Sequence, residues 1–239
     1  MNSAPTSIDE IRKALVHITD EGSPEVLGLG IMCEPFILTC GHFMANRQLP
    51  THFHDSIYFN VRRICDGEEA VFMLYLATTM DFMALSENGI HVSGDCGPSD
   101  NASILFGFPP TQPRAIRPAM IQFGENLTTA KLPGFFFSPD GQTVHHVELK
   151  VFRDDPIITY ESNDMIPGCS GGPIFTDDFH LIGIHTSGRK AYQDDPCGEG
   201  VGKRIDLCCP LLLRRQIKWD VLDVKSITSG SLPGVFPTK

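Results

Sequence analysis

The chain lacks any run of apolar residues long enough to cross a bilayer. Every such run, the one around Pro210 to Leu213 included, falls far short of the ~20 residues a spanning helix needs. Basic charge is scarce too: 19 Lys and Arg stand against 29 Asp and Glu, a net charge of −10. Nucleic-acid binding needs clustered cations to replace the counterions of the phosphates, so this balance excludes it as a partner and leaves peptides open. The first residues, MNSAPTSIDEIRKALVHI, have neither the basic start nor the apolar core of a secretion signal. The expectation is a chain that begins near Met1 and stays in the cytoplasm, with no membrane partner. No C-x-x-C pair occurs among the eight cysteines, so they read as free thiols of a reducing compartment, not as zinc ligands or a disulfide framework. Two His-rich spots, His52-Phe53-His54-Asp55 and His145-His146, lack partner ligands nearby in sequence and read as solvated loops. No metal and no cofactor is expected.

What remains is 239 residues of ordinary apolar content, enough for one large β domain or two small barrels. Ser7 and Glu10 form a capping box for one short helical turn over Ile8 to Lys13. Short β-rich pieces follow, separated by Gly, Pro, Asn and Asp: Ala14–Thr19, Gly28–Met32, Phe36–Thr39, Ser56–Val61, Ala70–Ala77, Asp81–Leu85, Ser103–Phe108, Ala119–Phe123, Val144–Phe152, Ile157–Tyr160, Pro173–Phe175 and Leu181–His185. Phe108 to Pro113 holds three prolines in six residues, a stiff link between halves. Pro210 to Trp219 reads as a helix with Pro at its first position and an apolar stripe, and Thr228 to Lys239 as a loose tail.

The strongest chemical signal is Gly168-Cys169-Ser170-Gly171-Gly172-Pro173. A serine hydroxyl is a poor nucleophile until a base takes its proton, and the oxyanion that forms needs fixed donors. A tight turn with Gly two residues before the serine can aim the N–H groups of Gly168 and Ser170 at one point. Gly171 and Gly172 keep side chains out of a substrate's way. A Gly-rich hairpin turn without chemistry is the plain alternative.

The run Gly168 to Gly188, GCSGGPIFTDDFHLIGIHTSG, resembles the chymotrypsin-like serine peptidases, in their disulfide-poor bacterial-type branch of glutamyl endopeptidases and high-temperature-requirement proteases. The resemblance implies an all-β fold of two six-stranded antiparallel β-barrels with a short C-terminal helix. Residues 8–111 would form a barrel carrying the base and its carboxylate, and 112–216 a barrel carrying nucleophile and pocket. Residues 217–239 would extend beyond. It also implies a serine endopeptidase working on protein or peptide substrates through an acyl-enzyme. Some viral relatives use a cysteine on this fold, which makes Cys169 a rival; the Gly pair after Ser170 favours the serine. Cys169 stands where trypsins carry the aspartate that pairs with a freed N-terminus, so that route of activation is not expected.

The family's chain order is His, Asp, Ser. Ile37 to His42 resembles its strand-to-turn segment before the base, with Phe43 in place of the usual cysteine. Asp81, in Met80-Asp81-Phe82-Met83-Ala84-Leu85, resembles the buried carboxylate's D-[hydrophobic]-A-L pattern with one residue inserted. Asp55, Asp66 and Asp95 are the alternatives, but none begins an apolar strand. For the pocket, His185 in Gly183-Ile184-His185-Thr186-Ser187-Gly188 resembles the G-x-H strand that selects Glu or Gln, with Thr186 and Gly188 beside it. Asp164 resembles the position that selects Arg or Lys. The same residues admit a catalytically silent peptide-binding member of the fold, or a viral-type polyprotein-processing protease.

Overall fold

The computed structural model describes residues 5–20, 23–33, 36–44, 48–49, 58–75, 83–86, 89–92, 102–106, 116–162, 167–189, 198–208 and 220–224. The elements are α1 (Ile8–Arg12), β1 (Leu15–Asp20), β2 (Val26–Met32), β3 (Phe36–Cys40), a 3-10 turn (Gly41–Met44), β4 (Gln48–Leu49), β5 (Tyr58–Arg63), β6 (Glu69–Tyr75), β7 (Met83–Ser86), β8 (Gly89–Val92), β9 (Ala102–Phe106), β10 (Ala119–Gln122), β11 (Thr129–Phe137), β12 (Val144–Phe152), β13 (Ile157–Glu161), β14 (Pro173–Thr176), β15 (Leu181–Arg189), β16 (Glu199–Arg204), α2 (Ile205–Cys208) and β17 (Asp220–Asp223). The chain is mostly β with little helix, as the sequence suggests. No helix among the described residues is long and apolar enough to cross a membrane.

Antiparallel pairing closes one ring in the order β1-β2-β3-β9-β6-β5 and a second in the order β11-β12-β13-β16-β15-β14. Strands β4, β8 and β7 form a small separate sheet, and β10 pairs in parallel with β17. The anticipated helix over Pro210 to Trp219, and the Pro-rich link, lie outside the described residues.

At the entrance to the first ring, Ser7 accepts the Glu10 N–H at 3.3 Å and Glu10 reaches back to the Thr6 N–H at 2.8 Å. The capping box therefore closes one residue earlier than the Ser7–Glu10 spacing implies. It tethers the chain before α1 delivers Ile11 to the core, where it is fully buried.

Sequence reading passes over β4, β8, β11, β16 and β17, and in β11 and β16 the cause is glycine and proline. β11 contains Pro133-Gly134, which resembles a turn, yet it pairs with β12 along its whole length. A Cβ on Gly134 would lie 2.3 Å from the Phe175 carbonyl oxygen and 2.4 Å from a Leu149 methyl, so the barrel wall closes only over glycine. Pro133 lacks an N–H but its carbonyl accepts the Asp177 N–H at 3.0 Å. β16 alternates glycine for a related reason: a Cβ on Gly200 would meet the Tyr160 ring at 2.2 Å.

The two rings share a core. Phe135, Phe137, Phe175 and Ile184 of the second pack in one cluster with Leu15, Leu29, Ile31 and Ile37 of the first. Each such side chain contributes about 1.5–3 kcal/mol by leaving water. Phe135 stacks on Phe175 with centroids 5.4 Å apart. At the foot of the second ring, the buried Arg204 guanidinium donates to Asp206 at 3.1 and 2.8 Å and to the carbonyls of Phe152 and Arg153. The Ile121 N–H donates to the same Asp206 carboxylate at 3.4 Å, which joins β10 to this network. With every partner in place the charge is tolerated; loss of one would strand the other.

None of Cys33, Cys40, Cys65 and Cys169 is in a disulfide, and of these Cys65 alone is exposed. Burial pushes the Cys33 thiol far above the usual thiol range. Iodoacetamide should therefore label Cys65 in native protein well before Cys33, Cys40 or Cys169. Mass spectrometry of non-reduced protein should find these four unpaired; early labelling of Cys33 would contradict the packing of β2.

Candidate active site

The segment Pro167 to Gly172 crosses from β13 to β14 as a tight turn. Gly168 has φ +98° and Gly171 φ +80°, the left-handed region that side chains resist. Space reinforces the demand at Gly171: a Cβ there would stand 2.0 Å from the Leu29 carbonyl oxygen and 2.3 Å from Thr39 Oγ1. The turn is held from both barrels. Gly171 N–H donates to the His185 carbonyl at 2.8 Å and His185 N–H donates to the Gly172 carbonyl at 2.7 Å. From the first ring, Leu29 N–H donates to the Ser170 carbonyl at 2.8 Å, and Gly172 N–H closes the turn on the Cys169 carbonyl at 2.9 Å.

These bonds occupy the N–H groups of Gly171 and Gly172. Among the described residues, no acceptor is recorded for those of Gly168 and Ser170. That is the pair expected to face an oxyanion. Ser170 is partly exposed, whereas Cys169 is buried in the second barrel's core with Tyr160 and Ile174. The thiol therefore points away from any position a substrate could reach.

His42 lies in the 3-10 turn Gly41–Met44 directly after β3. Its neighbour Phe43 is buried, and the Phe43 ring lies 2.5 Å from the point where a Cβ on Gly28 would sit. The same point is 2.3 Å from the Ser170 carbonyl oxygen. The Phe43 ring, next to His42, and the Ser170 carbonyl thus meet over Gly28 of β2. Thr39 Oγ1, three residues before His42, donates to the Leu29 carbonyl at 2.7 Å and fixes β3 against this junction.

Asp81 and Asp164 lie outside the described residues, as do the alternatives Asp55 and Asp95. Asp66 is described, in the exposed turn after β5, where it is bonded through Arg63 Nε at 2.8 Å. That bond to the guanidinium holds its carboxyl below the usual range, and nothing turns it toward β3.

On the opposite side of the nucleophile turn, His185 is almost fully buried on β15. Its Nδ1 lies 2.5 Å from Tyr160 Oη on β13. Its ring is parallel to Phe136 of β11 within 14°, at 6.1 Å, and His145 of β12 stacks on the same phenyl ring at 4.9 Å. His145 Nε2 is within 2.6 Å of Ser138 Oγ. The sequence reading of His145 as a solvated loop residue is thus corrected: it stands on a strand, stacked and hydrogen-bonded. Tyr160 and Phe136 had no motif of their own; only the pairing of β13 with β16 and of β11 with β12 brings them to His185. Burial, with a smaller contribution from Cys169, raises the Tyr160 phenol well above its ordinary value and keeps it protonated. Thr186 is also buried, and its hydroxyl donates to the Val201 carbonyl at 3.2 Å, so it braces β16. Gly188 is exposed further along the same strand, paired with Gly200.

No family model and no curated sequence matches the chain. Among solved structures it is similar in chain path to tobacco etch virus protease complexed with product, at 14% identity and a TM-score of 0.49, covering 90% of this chain and 83% of that one. An HtrA-type protease with tripeptide, AlgW, matches at 13% identity and a TM-score of 0.49 over 87% of this chain and 62% of its own. Deg5 matches at 13% and 0.48 over 87% and 88%. At such identities and TM-scores the likeness assigns no residue a role.

The Tyr160 environment has a spectroscopic consequence. A raised folded-state value means that stability from the buried neutral phenol is full below the unfolded value near 10 and is lost as pH rises above it. Of the four tyrosines, one should therefore ionise at 295 nm only as the protein unfolds in alkali, and that step should vanish in Tyr160→Phe. Ordinary titration of all four near pH 10 would place Tyr160 in contact with water.

Proposed function

We propose that this chain is a serine endopeptidase of the chymotrypsin-like type. The observation that carries the reading is the convergence on β2 of the turn bearing His42 and the turn bearing Ser170, with the Ser170 carbonyl held by Leu29 N–H at 2.8 Å. The two six-stranded rings are then the two barrels of that fold, residues 8–111 and 112–216, with 217–239 as an extension. Ser170 Oγ attacks the scissile carbonyl while His42 takes its proton. Asp81 holds the imidazole and stabilises the imidazolium that forms. The N–H groups of Gly168 and Ser170 receive the developing oxyanion. His42 then returns the proton to the leaving amine, and water attacks the acyl-enzyme by the same route in reverse. The position of Asp81 before an apolar segment supports its part in this scheme.

The pocket reading assigns His185 to a Glu or Gln side chain before the scissile bond. The hydrogen bond between Tyr160 Oη and His185 Nδ1 fixes the plane of the ring on β15, the strand that follows the Ser170 turn. Phe136 backs the ring and limits its rotation. A buried and oriented imidazole can donate one directed hydrogen bond to a side-chain oxygen.

A fluorophosphonate probe tests the central reading. It should label the wild type at pH between about 6 and 9, and labelling should be lost in Ser170→Ala and fall steeply, by about 10³-fold or more, in His42→Ala. A wild type that takes no label over that range is a silent peptide-binding protein. The pocket is tested on a peptide panel. His185→Ala should lower kcat/KM for Glu and Gln peptides by roughly ten- to a hundredfold and leave small apolar ones nearly unchanged. Asp164→Ala is the matched variant: loss of Arg and Lys cleavage there would transfer the pocket to Asp164, and equal losses on all peptides in His185→Ala would make that histidine structural.

A further inference from the structure

Outside the nucleophile turn itself, one segment of the second barrel reaches across to the first. It is the turn from Ser138 to Thr143 that joins β11 to β12, closed by Ser138 N–H to the Thr143 carbonyl at 2.9 Å and Gly141 N–H to the Ser138 carbonyl at 2.8 Å. Three residues of the first barrel hold it. Arg12 Nη2 donates to the Gln142 carbonyl at 2.5 Å, Ile64 covers Gly141, and His17 Nε2 lies 2.8 Å from the Pro139 carbonyl oxygen. A carbonyl can only accept, so Nε2 carries the hydrogen of that bond.

The far side of the same proline faces the catalytic turn. A Cβ on Gly168 would lie 3.1 Å from Pro139 Cβ and 3.2 Å from Pro139 Cγ, so the ring backs the glycine directly. Gly168 at φ +98° needs such a wall, because glycine has few barriers of its own to hold that conformation. His17 also stands opposite Leu29 in the β1–β2 register. One rung of the first barrel thus touches the nucleophile turn twice: Leu29 holds the Ser170 carbonyl, and His17 holds the proline behind Gly168.

We propose that His17 is a positioning residue: through its Nε2–H bond to the Pro139 carbonyl it seats Pro139 against Gly168 and so orients the Gly168 N–H toward the oxyanion. This rests on the reading of Gly168 and Ser170 as the oxyanion donors. His17 touches no reacting atom. Its contribution belongs to the step in which negative charge develops, and binding of the uncharged ground state does not need it. Glutamine can present a side-chain N–H from the same position, and leucine fills the volume without a donor.

The experiment compares wild type, His17→Leu and His17→Gln in fluorophosphonate labelling kinetics and in hydrogen exchange of the unliganded proteins. His17→Leu should lower the limiting rate, kinact, about tenfold with KI within about twofold, and His17→Gln should recover most of it. Amides in 138–143 and 167–172 should exchange faster in His17→Leu, with protection regained in His17→Gln and the rest of both barrels unchanged. Unchanged kinact in His17→Leu overturns the proposal, as does unchanged exchange in the two turns. So does a His17→Gln variant as impaired as His17→Leu with exchange raised throughout, which marks a residue that merely supports the fold. If wild type takes no label, the peptidase reading fails on its own account, and the exchange comparison alone decides whether His17 seats the turn.

Discussion

Leu29 is engaged through both of its backbone polar groups, and the site depends on that. Its N–H belongs to the Ser170 carbonyl and its carbonyl to the Thr39 hydroxyl. Between them Gly171 approaches so closely that no side chain fits. This arrangement is available because β2 pairs with β3 only at Ile31 and Met32, leaving the earlier residues of β2 to bond elsewhere. A buried N–H without a partner is costly, so the departure of β2 from β3 itself calls for the nucleophile turn to complete it. Folding of the second barrel against the first and assembly of the site are in this sense one event.

The second barrel answers the same need for rigidity in a different way. Its wall holds four aromatic rings in sequence through space, His145, Phe136, His185 and Tyr160, and the room for them comes from glycine at Gly200 on the neighbouring strand. Each ring is polar at one edge or apolar throughout, and the polar edges meet each other or a hydroxyl: Tyr160 with His185, His145 with Ser138. Burial at this density is affordable only because the donors and acceptors are matched. A histidine in such a setting has few alternative rotamers, which is what a selective pocket requires. His185 has a second part through its backbone, since its N–H and carbonyl hold Gly172 and Gly171. The strand that carries His185 and the turn that carries Ser170 are therefore tied directly to each other.

Arg204 does comparable work at the other end of the barrel. Its guanidinium meets carbonyls from the end of β12 and the carboxylate of Asp206 at the start of α2, and stands over the Phe123 ring at 5.4 Å. The planar fork suits several acceptors arranged around one plane, which a lysine could not match. The chain that leaves β16 is thereby tied to β10, which pairs with the late strand β17. Distant parts of the second half are joined through one buried cation.

Gly168-Cys169-Ser170-Gly171-Gly172 was legible as a tight turn from residue order alone, because glycine on both sides of a serine answers a local backbone need that survives any fold. The β character was legible for the same kind of reason: Val144–Phe152 alternates with period two, and its side chains alternate from core to solvent as that period requires. Beyond such local patterns, the linear order was silent. β11 and β16 were obscured because their glycines and Pro133 serve close approach to strands far away in sequence, and a proximity of that kind leaves no mark on neighbouring residues. Residue order said nothing of burial within this turn; the packing puts Cys169 in one cluster with Tyr160 and leaves Ser170 partly exposed. His145 looked like surface, Tyr160, Thr39 and His17 looked like ordinary strand residues, and Phe136 lay in no expected strand. Their parts depend on which strands become neighbours, and that is settled by closing two barrels on a shared core, since hydrogen bonds and buried area across a sheet are properties of pairs of segments and never of one segment by itself.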